Sequence, residues 1–172
     1  MIYLQCTHAV LRMLGIREPL SHAPHAESTL GNWTVNDIPI DGRRALLFMS
    51  DRSLLSFPLL QGRSPVEMQD MPTFLAHGMS QLMAVLDVPK LAVDRLLRDV
   101  DTVALAKAPG RSLLAVHSAI AGDYARRIDR LGGIENCNLG DVISAVNRTP
   151  RVMLEGATPS EVSVELLTQR LR

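Results

Sequence analysis

Between Trp33 and Pro58 three short runs of strand-forming residues follow one another with only turn chemistry between them. The runs are Trp33-Thr34-Val35-Asn36-Asp37-Ile38-Pro39-Ile40, Ala45-Leu46-Leu47-Phe48-Met49 and Leu54-Leu55-Ser56-Phe57-Pro58. Asp41-Gly42-Arg43-Arg44 and Ser50-Asp51-Arg52-Ser53 join them, and Asp, Gly and Ser reverse a chain at low steric cost. The spacing predicts an antiparallel meander. Ile2-Tyr3-Leu4 and the segment from Val100 to Lys107, which is rich in β-branched residues and lacks a helical stripe, predict further strands. Nearly everything after the meander has helical periodicity, so helices are expected to cover the sheet on one face. The fold class predicted is α+β: a small, mainly antiparallel sheet of about four or five strands covered by several α-helices.

The helices announce themselves through caps and stripes. Thr7 can cap a short helix over residues 8–14, with Gly15 as its left-handed stop. Ser64-Pro65-Val66-Glu67 combines an N-cap hydroxyl, a first-turn proline and a capping-box glutamate. Pro72 then requires a short turn at 65–70 or a kink before a firmer helix over 72–86. Pro89 opens another helix, with Leu91, Val93, Leu96 and Leu97 as its buried face. The strongest pattern runs from Gly110 to Gly132, where Leu113, His117, Ile120, Tyr124, Ile128 and Leu131 recur at helical spacing. Asn138 caps a helix over 139–147, and Thr158-Pro159-Ser160-Glu161 opens a last one carrying Val162, Leu166 and Leu167.

At 172 residues the chain is expected to form a single domain, 1–172. Its 18 basic and 18 acidic residues cancel, so no whole-protein field draws it to nucleic acid or membrane. It has no run of about 18 apolar residues that would span a bilayer. Its first residues lack the pattern of a signal peptide, and a cytoplasmic location is expected. Cys6 and Cys137 stand apart without a CxxC partner and read as reduced, structural thiols. His22, His25 and Glu27 meet Cys6 and His8 as metal ligands only if the loop over 17–32 folds back, so the expectation is a solvated loop, no metal and no cofactor. Arg43, Arg44, Arg52 and Arg63 alternate with Asp37, Asp41 and Asp51, and aromatic residues are only 3%. That reads as a solvated mixed-charge edge, with nucleic acid not the expected partner.

Several segments also carry a resemblance. Leu4-Gln5-Cys6-Thr7 before a short helix, Gly31-Asn32-Trp33 opening a strand, the meander from Arg43 through Ser50-Asp51-Arg52-Ser53 to Leu54, and Lys107-Ala108-Pro109-Gly110-Arg111-Ser112-Leu113-Leu114 opening a long helix are similar to an uncharacterised bacterial family, a domain of unknown function. The resemblance covers nearly the whole chain. Gly110 stands where the family usually has Asn, and Val116-His117-Ser118 where it tends to have Met-Asn-Asp. It implies the same fold and cytoplasmic location, and it brings no settled activity.

The segment from Lys107 to Ser112 is the best candidate site, because a helix start presents free N–H groups and positive potential to an anion. Lys107, Gly110, Arg111 and Ser112 supply the residue types for holding a phosphate or carboxylate, without a complete P-loop or dinucleotide fingerprint. His117 lies on the apolar stripe of that helix, either as a core histidine or as an acid or base. Two functions are compatible with these residues. One is a non-enzymatic accessory or regulatory domain that binds a partner protein or a small anionic ligand. The other is a small enzyme acting on a phosphate- or carboxylate-bearing substrate at residues 107–117, with His117 transferring the proton. A homodimer is compatible with either, and whether His117 shares a cavity with Arg111 distinguishes them.

Overall fold

The computed structural model describes residues 1–100 and 102–169. In chain order the elements are β1 (Ile2–Cys6), α1 (His8–Met13), β2 (Trp33–Ile40), β3 (Arg43–Ser50), β4 (Ser56–Leu60), α2 (Met71–Val85), α3 (Lys90–Val100), β5 (Val103–Lys107), α4 (Arg111–Arg130), α5 (Leu139–Asn147) and α6 (Pro159–Gln169). The class is α+β. The sheet has the order β4-β3-β2-β1-β5. β2, β3 and β4 form the antiparallel meander, while β1 runs parallel to both of its neighbours, β2 and β5.

Helices pack on both faces of this sheet, which corrects the expectation of one. In β3, Leu46 and Phe48 join a cluster with Met71, Leu75 and Met79 of α2, whereas Ala45, Leu47 and Met49 join another with Ile120, Tyr124 and Ile128 of α4. The uninterrupted apolar run from Ala45 to Met49 has this cause: a strand covered on both sides has no solvent face on which to place a polar residue. On the α2 side, Gly78 admits the Phe57 ring, which a Cβ there would overlap.

Local chemistry sets the turns. Asp41 and Gly42 both have positive φ, 49° and 70°, the conformation of a two-residue hairpin loop that matches strand twist. Arg43 and Arg44 therefore belong to β3 and not to the turn. The β3–β4 connection is longer: the Ser50 hydroxyl donates to the Leu30 carbonyl and accepts from Ser53 N, and Leu54 adopts φ 58°. β4 accordingly starts at Ser56, two residues later than the apolar pattern predicts.

Other boundaries differ for similar reasons. No helix starts at Ser64-Pro65. The capping box lies between Glu67 and Asp70, around a short 3-10 turn at Met68–Asp70, and Pro72 falls in the opening turn of α2, where its missing N–H is harmless. Val100 closes α3, and Asp101 lies outside the described residues. In α3 the buried face is Ala92, Leu96 and Val100, with Leu91 exposed. Thr7 precedes α1 in extended conformation, but its hydroxyl donates to Asn36 Oδ1 at 2.7 Å and makes no cap. Asn138 does cap α5, accepting from Asp141 N, and Thr158 and Glu161 exchange side chain to backbone bonds at the start of α6.

Candidate functional site

β1 and β5 lie side by side and parallel, but the chain leaves them in opposite directions: α1 packs on the α2 face of the sheet and α4 on the other. Where connections diverge in this way, a crevice opens outside the carboxyl ends of the strands. Here it has a volume of about 660 Å³ and is lined by Cys6, His8, Arg12, Arg17, Glu18 and Lys107, among others. The loop over 17–22 forms one wall, tied to the end of β5 by Lys107 N donating to the Ser21 carbonyl at 2.9 Å and by bridge pairing of His22 with Lys107. Arg12, Arg17 and Lys107 are exposed at its mouth, and none of them is ion-paired among the described residues. Cys6 is 1% exposed. Burial pushes its thiol up to about 12, so it stays protonated and acts as an apolar floor.

Of the residues singled out in the sequence, Lys107 lines this crevice. Gly110, in extended conformation, is the N-cap of α4, and Arg111 and Ser112 are exposed in its first turn; none of the three is part of the crevice lining. His117 is 1% exposed and points from α4 into the packing against β3, with Nε2 3.1 Å from the Leu47 carbonyl oxygen. A carbonyl only accepts, so Nε2 carries the proton, and Nδ1 is sealed without a hydrogen-bond partner among the described residues. Burial pushes the imidazole pKa down, with the bond to Leu47 opposing, and the ring is neutral at pH 7. The meander arginines are engaged elsewhere: Arg44 pairs with Asp37, Arg43 with Glu135, and Arg52 donates to the Ser28 and Thr29 carbonyls.

A second crevice, on the α4 face, escaped the sequence reading. Because side chains alternate along β1, Cys6 faces the first crevice and Gln5 the second, which is also lined by His25, Asn32, Asp51, Arg52 and Leu113. Asn32 is 3% exposed, accepts from Tyr3 N at 3.1 Å and donates to the Pro24 carbonyl at 3.0 Å, pinning the loop against β1. Gln5 Nε2 donates to Asp51 Oδ2 at 3.3 Å, while Asp51 Oδ1 is sealed with no donor among the described residues. Burial raises the Asp51 pKa, opposed by the Asn32 backbone N–H, the charge of Arg52, Gln5 and the charge of His25. The signal for this crevice in the sequence was its segments: Gln5, Asn32, Asp51-Arg52 and Leu113 come one by one from the stretches that carry the family resemblance.

Among the described residues no group of three or more His, Cys, Asp and Glu is placed to hold a metal ion, and no helix is long and apolar enough to cross a membrane. No curated protein and no solved structure is significantly similar to the chain. One family does match, over residues 3–162, a span that includes every strand but the first residue of β1 and both crevices; the chain belongs to the family described as Domain of unknown function (DUF6933).

Proposed function

We propose that the chain is an accessory or regulatory ligand-binding domain whose crevice at the carboxyl ends of β1 and β5 takes a small phosphate- or carboxylate-bearing molecule. The observation that carries this reading is the set Arg12, Arg17 and Lys107, three cations without ion pairs among the described residues, around one crevice with a thiol floor. Arg forks match the planar geometry of carboxylate and phosphate oxygens, and Lys adds a point charge. Arg111 and Ser112, which follow at the exposed start of α4, are the outer contacts in this reading, with Gly110 leaving the helix N–H groups uncovered. A binding role fits better than a catalytic one, because Cys6 is held protonated and His117 is enclosed against β3.

Inorganic phosphate and succinate are the probes, each compared with chloride at matched ionic strength, since salt alone screens charge and strengthens apolar burial. At a hundred times Kd, binding should stabilise the native chain by about 2.7 kcal/mol. The double variant Arg12→Ala, Lys107→Ala should lose most of that gain. Equal stabilisation of both proteins, or none in either, rejects the site.

A further inference from the structure

The crevice on the α4 face has acceptors at its floor with cationic side chains beside them. Asn32 binds Tyr3 N and the Pro24 carbonyl at the two ends of its amide. Gln5 is 8% exposed and turns one amide N–H to Asp51, which leaves the acceptor Oε1 and a second N–H. Asp51 as a carboxylate only accepts: Oδ1 is sealed from solvent, Oδ2 takes one bond from Gln5 and has a further lone pair, and the group forms no ion pair among the described residues. Oδ1 is packed against Gly31 (φ 82°), where a side chain would overlap it. The half-buried carboxylate is in no ion pair among the described residues, so the floor of the crevice keeps acceptor capacity for a positive group rich in N–H donors.

The surroundings have the opposite sign. His25 and Arg52 line the same crevice, and their charges reach Asp51. Among the described residues Arg52 engages Nη1 alone, on the Ser28 and Thr29 carbonyls, which leaves the rest of its guanidinium for an anion. These groups repel a simple cation and attract one that also carries a carboxylate. Leu113 adds an apolar contact from the first turn of α4. The volume, about 550 Å³, is within the range of small-molecule sites.

We propose that this crevice binds a zwitterion of the amino-acid class, its ammonium group on Asp51 and Gln5 and its carboxylate toward Arg52 and His25. The site is separate from the phosphate crevice on the other face, and neither proposal depends on the other.

The twenty common amino acids, each titrated into the full chain at pH 7 and followed by calorimetry, are the test. At least one should bind with Kd below about 1 mM, and both its decarboxylated amine and its deaminated acid should bind about tenfold more weakly or worse. Asp51→Asn keeps the shape and should lose about tenfold or more in affinity, and His25→Gln, at an exposed position, should weaken the amino acid but not the amine. Should Asp51→Asn not fold, His25→Gln and the two half-ligands still decide. Lys107→Ala should bind the amino acid as the native chain does. The proposal is overturned if no amino acid binds below about 1 mM, if either half binds as well as the whole, if Asp51→Asn folds and binds equally, or if Lys107→Ala abolishes binding.

Discussion

Replacing Asn147 by alanine should open the edge of the sheet. β4 is an edge strand, and its bonds to β3 fix which of its backbone groups face outward. Ser50 N donates to the Leu55 carbonyl and Gln61 N to the Arg44 carbonyl, each at 2.9 Å, so the alternate residue Ser56 turns its N–H and C=O away from β3. Asn147, 2% exposed at the end of α5, meets both: Oδ1 accepts from Ser56 N at 2.9 Å and Nδ2 donates to the Ser56 carbonyl at 2.8 Å, with a further bond to Ile143 O at 2.9 Å. The primary amide thus stands in for the next strand. In the variant the Ser56 carbonyl keeps Tyr124 Oη at 2.9 Å, but the Ser56 N–H is left buried without an acceptor. One stranded donor at about 1 to 3 kcal/mol, with the two other lost bonds at about 0.5 to 1.5 each, gives a cost of about 2 to 6 kcal/mol. For a chain of this length, Tm should fall by roughly 4 to 24 °C. A urea titration with unchanged m-value measures the loss, and hydrogen exchange at the Ser56 amide locates it. Asn138→Ala is the comparison, because it removes one exposed cap, the bond from Asp141 N, at about 1 kcal/mol. If Asn147→Ala costs no more than Asn138→Ala, or if exchange at Ser56 stays slow, the amide does not close the edge.

Two further outcomes follow from the α4 face. Ile120→Ala truncates a branched chain with no exposure between α4 and the meander, and denaturant unfolding should show a loss of about 2 to 5 kcal/mol; a change within about 0.5 would place this helix on the surface. His117 has its folded pKa lowered by burial, so its contribution to stability is full above the unfolded value of about 6.5 and declines as the pH falls from there toward the folded value, by about 1.4 kcal/mol per unit. Asp51 shifts the other way and is common to both proteins, so the difference between the native chain and His117→Gln, which keeps an N–H for Leu47, isolates the histidine. Parallel stability profiles from pH 7.5 to 5.5, an interval set by that unfolded value of about 6.5, would mean that His117 takes up its proton in the folded state.

What the sequence alone determined is what depends on neighbours within a turn or two. β2 spans the residues its pattern predicts, Asp41-Gly42 makes the hairpin, α4 buries His117, Ile120, Tyr124 and Ile128 in one stripe, and Asn138 and Thr158 with Glu161 cap where their spacing places them. Local rules also misled where two competed: Ser64-Pro65-Val66-Glu67 has the composition of a helix start, but Pro72 is tolerated only in an opening turn, and the helix moves to meet it. The tertiary structure decided the parallel pairing of β1, the second covered face, the edge cap and both crevices. Gln5 meets Asp51 across 46 positions of sequence, and Ser56 meets Asn147 across 91. Periodicity records which face of an element is buried and carries no information on what buries it. The unbroken run from Ala45 to Met49 was the one local sign of cover on both sides, and the groups that satisfy a half-buried carboxylate or an open strand edge are selected only when distant segments pack.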